Sequence, residues 1–200
     1  GISSRRSKVE IVDSYIEGSP ADVEKRYPVF WGGNSRIVIR NSRIIQPVYT
    51  AAISLCDNSS LELENSLVSN MEMSESRAKL RDNTITDIIS VENCSLFVSE
   101  GELDIKGENP DKVDIYVTNT SVFSAENVIL SRECSPNIKV LRNTLVRIKE
   151  LDAVNVDKKD VKFDVDDSSE VIDLDNLTKE ESVVTENDPS TGKVKESVPT

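Results

Sequence analysis

Ile37-Val-Ile39-Arg-Asn41-Ser42-Arg-Ile44 is a phrase that this chain repeats without copying it faithfully. Upstream it reads Val9-Glu-Ile11-Val-Asp13-Ser14-Tyr-Ile16. Downstream it reads Leu61-Glu-Leu63-Glu-Asn65-Ser66-Leu-Val68 and Ala78-Lys-Leu80-Arg-Asp82-Asn83-Thr-Ile85. Further copies are Ile89-Ser-Val91-Glu-Asn93-Cys94-Ser-Leu96, Ile115-Tyr-Val117-Thr-Asn119-Thr120-Ser-Val122 and Ile138-Lys-Val140-Leu-Arg142-Asn143-Thr-Leu145. The pattern is apolar, any, apolar, any, Asn or Asp, small polar, any, apolar. Alternation with β-branched residues in the apolar slots marks strands. Imperfect recurrence at this period marks a stacked repeat architecture.

The copies start at 9, 37, 61, 78, 89, 115 and 138, with gaps of 28, 24, 17, 11, 26 and 23 residues. Most gaps fit one full coil of a parallel β-solenoid. The gap of 11 does not, so the copy at 78 or the copy at 89 must sit on a different face from the rest. Secondary strands are expected at Ile53-Ser-Leu55, Leu103-Asp-Ile105 and Val128-Ile-Leu130. The Asn or Asp slot suits a sharp bend at a strand end, because these residues tolerate the left-handed backbone conformation. Stacking at about 4.8 Å would bring amide over amide and allow a hydrogen-bonded ladder. A β-sandwich also yields short alternating strands, but it does not favour one turn residue at one offset seven times.

Charge is unevenly placed. Residues 151–200 hold 14 acids and 6 bases, net −8, against −12 for the whole chain. That excludes an electrostatically driven nucleic-acid binder, since counterion release needs clustered Lys and Arg. It disfavours anionic membrane surfaces for the same reason. No window approaches ~18 uninterrupted apolar residues, so no membrane span is expected. The chain contains no histidine, which removes the usual general base, the commonest metal ligand and every Ser-His or Cys-His nucleophile. Cys56, Cys94 and Cys134 match no zinc-binding spacing and read as small buried side chains, with a disulfide between stacked turns as the other reading. No metal and no cofactor is expected.

Ser19-Pro20-Ala-Asp22-Val-Glu24 reads as a short helix inserted in the first coil near residues 20–26. Beyond about residue 150 the character changes. Val161-Lys-Phe163-Asp-Val165 and Val171-Ile-Asp-Leu174 could add strands as far as about residue 175. From Thr178 the chain is too polar to offset its ordering entropy and reads as a flexible acidic tail or linker. The expected division is a domain over 1–150 and a tail over 151–200. The start at Gly1, with no initiator Met, reads as a processed chain or a piece of a longer one.

With these residues laid out, the chain resembles the right-handed parallel β-helix superfamily, the pectin-lyase-like fold. The Ile-x-Ile-x-Asn-Ser-x-Ile phrases and the insertion near Pro20 carry the resemblance, which covers roughly residues 7–150. It implies an all-β solenoid whose outward sheet often faces extended carbohydrate. The superfamily includes polysaccharide lyases and hydrolases, phage tail spikes and secreted surface proteins. No family catalytic motif is present, so no catalytic residue is carried over.

Three groups of residues invite a function. Tyr27-Pro28-Val-Phe30-Trp31-Gly32-Gly33, with Tyr49 and Tyr15, could stack on sugar rings, or could plug the open N-terminal end of the solenoid. The residues before the Asn slot, Val12, Arg40, Glu64, Arg81, Glu92, Thr118 and Leu141, would form an outward row. Alternating sign along it, notably Arg40 and Glu64, suits a groove or, more plainly, a ladder of surface ion pairs. Acid pairs such as Asp111 with Asp114, Asp164 with Asp166 and Asp167, and Glu62 with Glu64 could serve a glycosidase or calcium, but arise by chance among 36 acids. Asn-x-Ser/Thr sequons occur at Asn58, Asn93, Asn119 and Asn176; some could be glycosylated in a secreted eukaryotic chain, but three coincide with or lie near the turn slot, so chance and fold requirement suffice.

These readings favour a non-catalytic structural or carbohydrate-binding solenoid of a virion appendage or of a secreted or cell-surface protein. Its partner would be a polysaccharide or cell-surface glycan, and association into a homotrimer would follow the tail-spike resemblance. The alternative is a polysaccharide lyase or glycoside hydrolase, or a fragment of one.

Overall fold

The structure, a computed structural model, describes residues 1–18, 28–46, 50–85, 87–107, 113–131, 137–155, 157 and 160–172. The helix expected at 20–26, Tyr27, Tyr49, Cys134 and the acidic tail from residue 173 lie outside the described residues. The described chain is almost wholly β, and it runs in rounds. The first three rounds each have three strands: β1 (Ile2–Arg5), β2 (Lys8–Val12) and β3 (Tyr15–Glu17); β4 (Phe30–Gly33), β5 (Arg36–Arg40) and β6 (Arg43–Ile45); β7 (Ile53–Cys56), β8 (Ser60–Glu64) and β9 (Leu67–Val68). From the fourth round the second and third strands fuse: β10 (Met71–Ser74) and β11 (Arg77–Ile85), then β12 (Ile89–Glu92) and β13 (Leu96–Ile105). The sixth and seventh rounds are β14 (Ile115–Thr118) with β15 (Val122–Ser131), and β16 (Asn137–Leu141) with β17 (Leu145–Val154). The eighth is β18 (Lys162–Val165) with β19 (Glu170–Ile172), so pairing continues past residue 150 to Ile172.

Two long sheets result. The first strand of every round joins one sheet, ordered β1-β4-β7-β10-β12-β14-β16-β18. The remaining strands form the other, β2-β5-β8-β11-β13-β15-β17-β19, with β3, β6 and β9 alongside. Neighbours pair in parallel throughout, each strand with its counterpart one round away. Parallel pairing on this scale needs apolar residues facing one shared core, and the repeated phrase supplies them. Phe30, Ile53, Met71, Ile89, Ile115 and Ile138 stand in register in the first sheet, all fully buried. Full burial of one such side chain stabilises by about 1.5–3 kcal/mol. In the second sheet Phe97 and Phe123 stack face to face, centroids 4.6 Å apart, and the next inward pair along those strands is small, Ser99 and Ala125. Large rings beside small residues keep the core filled without overpacking.

The 11-residue gap resolves as a change of sheet. The copies starting at 9, 37, 61 and 78 lie in the second sheet, with Val9, Ile37, Leu61 and Ala78 in register. The copies at 89, 115 and 138 lie in the first, with Ile89, Ile115 and Ile138 in register. The phrase therefore names two different bends. Asp13, Asn41, Asn65 and Asp82 take positive φ at one of them, and Asn93, Asn119 and Arg142 at the other. At the second bend Cys94, Thr120 and Asn143 are also at positive φ, so that bend holds one extra residue.

Hydroxyls, rather than amides, tie the bends together. The Ser14 N–H donates to Ser42 Oγ (3.1 Å), the Ser42 N–H to Ser66 Oγ (3.1 Å), and the Ser66 N–H to Asn83 Oδ1 (2.9 Å). At the other bend the Ser76 N–H donates to Ser95 Oγ and the Ser95 N–H to Ser121 Oγ. The Ser42, Ser66 and Ser95 hydroxyls in turn donate within their own bends. Where one residue has positive φ the hydroxyl reaches the carbonyl two residues back, as Ser42 reaches Arg40 O (2.7 Å). Where two do, it reaches three back, as Ser59 reaches Cys56 O (2.7 Å) and Thr144 reaches Leu141 O (2.7 Å). The expected amide ladder is reduced among the described residues to isolated rungs, Asn41 to Asp13 and Asn119 to Asn93. Cys94, expected to be buried, is exposed, because it occupies the extra bend position rather than the hydroxyl position.

In the first round Ser7 and Ser14 carry the bend hydroxyls, but no lower round among the described residues donates to them. In the eighth round Asp166 closes the bend: its carboxylate accepts the Arg142 N–H (2.6 Å), the Ser168 N–H (3.2 Å) and the Ser168 hydroxyl (3.0 Å).

Candidate functional site

The expected outward row forms for its first half only. Val12, Arg40, Glu64 and Arg81 stand in register on the second sheet, and the next residue is Glu100 rather than Glu92. Glu92 belongs to the first sheet, opposite Ser74, and Thr118 pairs there with Leu141. The cause is again the change of sheet between the copies at 78 and 89.

Within that half-row the charges pair across rounds. Arg40 lies between Glu10 (2.9 Å) and Glu64 (3.3 Å), and Arg36 bonds Glu62 (2.8 Å). Glu100 accepts from Lys79 (2.7 Å) and Arg81 (3.0 Å). Hydrogen bonds from Lys79 and then Arg81 hold the Glu100 carboxyl below its ordinary value, and Glu100 in turn raises Arg81. Val38 faces outward between Glu10 and Glu62 yet is only 3% exposed, since the stems of Arg36 and Arg40 flank it on the same face. This surface is a mesh of solvated ion pairs. Among the described residues the carboxyls with displaced pKa, Glu100 and Asp166, are both displaced downward, opposite to what a glycosidase acid requires. Of the other acid candidates, Asp114 is buried and accepts the Asn137 N–H (2.7 Å), Asp164 pairs with Lys139 (3.0 Å), and Asp111 lies outside the described residues. Among the described residues no group of three or more His, Cys, Asp or Glu side chains is placed to hold a metal ion.

The aromatic candidates separate. Phe30 is fully buried in the second round's core, so it neither faces a ligand nor plugs the N-terminal end. Tyr15 stands on the other sheet, in register with Arg43, and its hydroxyl donates to Glu17 Oε2 (2.6 Å). Trp31 does point outward, half-buried, in the row Ser3, Trp31, Ser54, Glu72, Ser90, Tyr116, Lys139 and Asp164. A Cβ on Gly33 would lie 2.5 Å from the indole Cη2 and 3.1 Å from Cζ2 and Cζ3, so the ring lies flat along the strand only because residue 33 is glycine. Ser54, Glu72 and Ser90 separate it from Tyr116, and Lys139 and Asp164 continue the row. Tyr116 was not singled out from the sequence. The signal was its place one residue after an inward Ile115, as Trp31 follows Phe30.

No protein-family model, no curated protein and no solved structure matches this chain. No helix among the described residues is long and apolar enough to cross a membrane.

Proposed function

We propose that the chain is a right-handed parallel β-helix of the pectin-lyase-like kind. It acts as a rigid, non-catalytic module that presents the Trp31–Tyr116 row of its first sheet to an extended polysaccharide. Its setting is a virion appendage or a secreted or cell-surface protein. Right-handedness is supported by the near-universal hand of crossovers between parallel strands of one sheet. The carrying observation is the indole held flat on Gly33, in line with Ser54, Glu72, Ser90 and Tyr116, with the half-buried Ser54 beside the ring and the Ser90 hydroxyl turned to Glu92. An aromatic face stacks on a sugar ring while neighbouring hydroxyls supply hydrogen bonds. Four rungs at about 4.8 Å separate the two aromatics, which suits a chain of several sugar units rather than a single residue.

A glycan array with the wild-type chain, Trp31→Ala and Tyr116→Ala tests this reading. Binding to a polymeric glycan that both variants weaken supports it. Equal binding by all three proteins, or depolymerisation of the bound glycan, overturns it.

A further inference from the structure

The last apolar slot of the phrase does different work in its two families. In second-sheet copies it points into the core, and Ile44, Val68 and Ile85 are fully buried. In first-sheet copies the extra bend residue shifts the strand by one, and the same slot, Leu96, Val122 and Leu145, points outward. Core residues there are the next ones along, Phe97, Phe123 and Val146, all fully buried. Leu96 is 38% exposed, and Val122 and Leu145 are half-buried. Three successive rounds thus keep an apolar side chain where the core does not use one. One such residue would be ordinary surface, but three in register form a stripe.

The stripe has charged ends of opposite sign. In register order the row reads Lys8, Arg36, Ser60, Arg77, Leu96, Val122, Leu145, Glu170, so Arg77 and Glu170 flank the apolar stretch, and Arg36 further down is held by Glu62 (2.8 Å). Among the described residues neither the Arg77 nor the Glu170 side chain makes an ion pair. A second copy turned about a two-fold axis through Val122, with its long axis reversed, meets this row in reverse order. Arg77 then faces Glu170 of the other copy, Leu96 faces Leu145, and Val122 faces itself. A parallel arrangement of two copies would instead oppose Arg77 to Arg77 and Glu170 to Glu170. Charge complementarity therefore selects the antiparallel pair. We propose that this face of the second sheet is a self-complementary interface through which two copies of the chain associate antiparallel, with Val122 on the two-fold axis.

Sedimentation velocity on the full chain, from micromolar to millimolar concentration, tests this. A concentration-dependent dimer is expected. Val122→Asp places two like charges on the axis and should leave a monomer, with circular dichroism and melting unchanged because Val122 does not face the core. Arg77→Glu should also give a monomer, and Arg77→Glu combined with Glu170→Arg should restore the dimer. A wild-type chain that stays monomeric throughout, a trimer, a dimer indifferent to Val122→Asp, or a double swap that fails to restore pairing would each overturn the proposal. None of these outcomes depends on glycan binding, since the stripe lies on the other sheet from Trp31.

Discussion

At the scale of single residues, the serine after each bend matters more than the Asn or Asp before it. Ser42 shows why: its hydroxyl accepts the Ser14 N–H, donates to Arg40 O, and is 2% exposed. Removing that hydroxyl leaves the part-buried Ser14 N–H without its partner, while Arg40 O still accepts from the Asp13 N–H (3.1 Å), a loss of about 1 kcal/mol. Ser14 makes the same bond to its own bend, to Val12 O, but no round below donates to it. Urea unfolding should therefore show Ser42→Ala markedly less stable than wild type and Ser14→Ala much closer to it. Equal losses at the two positions would show that the inter-round bond contributes nothing. The Asn and Asp residues chiefly supply positive φ, which Arg6, Glu75 and Arg142 also adopt. That spread of residue types explains why the slot is only approximately conserved from one copy to another within this chain.

At the scale of elements, strand identity and inward alternation were legible, because period-two apolar patterning is the direct imprint of a shared core. The parallel pairing of successive copies was legible too, and so was the misfit of the 11-residue gap. The assignment of copies to sheets was not. First-sheet strands of the early rounds hide the phrase, since Ser4 and Gly32 fill inward slots where an apolar residue was sought. One-residue and two-residue bends also look alike in sequence, so the outward direction of Leu96, Val122 and Leu145 could not be read. The same hidden phrase concealed the Trp31–Tyr116 row and led to Phe30 being grouped with Trp31. The two bend types suggest a deletion test. Removing Cys94 turns a two-residue bend into the one-residue kind already used at Asn41, while Ser95, Leu96 and Phe97 keep their directions. That variant should retain its circular dichroism and lose little in melting temperature. Removing Val98 instead inverts the alternation downstream, and the chain should fail to fold cooperatively. Similar behaviour of the two deletions would contradict the bend assignment.

At the scale of the molecule, the eighth round, the last among the described residues, has its bend closed by a side chain. Hydrogen bonds from Ser169, the Arg142 N–H and Ser168 hold the Asp166 carboxyl below its ordinary value. A depressed carboxyl stabilises fully above its unfolded pKa, about 3.9. That contribution is lost as pH falls through the lower folded value. Acid should consequently free β18 and β19 before the rounds beneath them. Hydrogen exchange should show Asp166→Ala doing the same at neutral pH, with protection lost in 162–172 and retained in 89–105. Uniform loss across both segments would mean that Asp166 is not a local closure.

The register of the rounds underlies every proposal made for this chain, and distances between spin labels test it most directly. On the first sheet Ser54 and Lys139 are four rungs apart, and Ser3 and Lys139 six. With Cys56, Cys94 and Cys134 replaced by Ser and cysteines placed at those positions, pulsed electron resonance should give about 19 Å and about 29 Å, one increment of about 4.8 Å per round. Separations that do not grow with the number of rounds between the labels would contradict the stack.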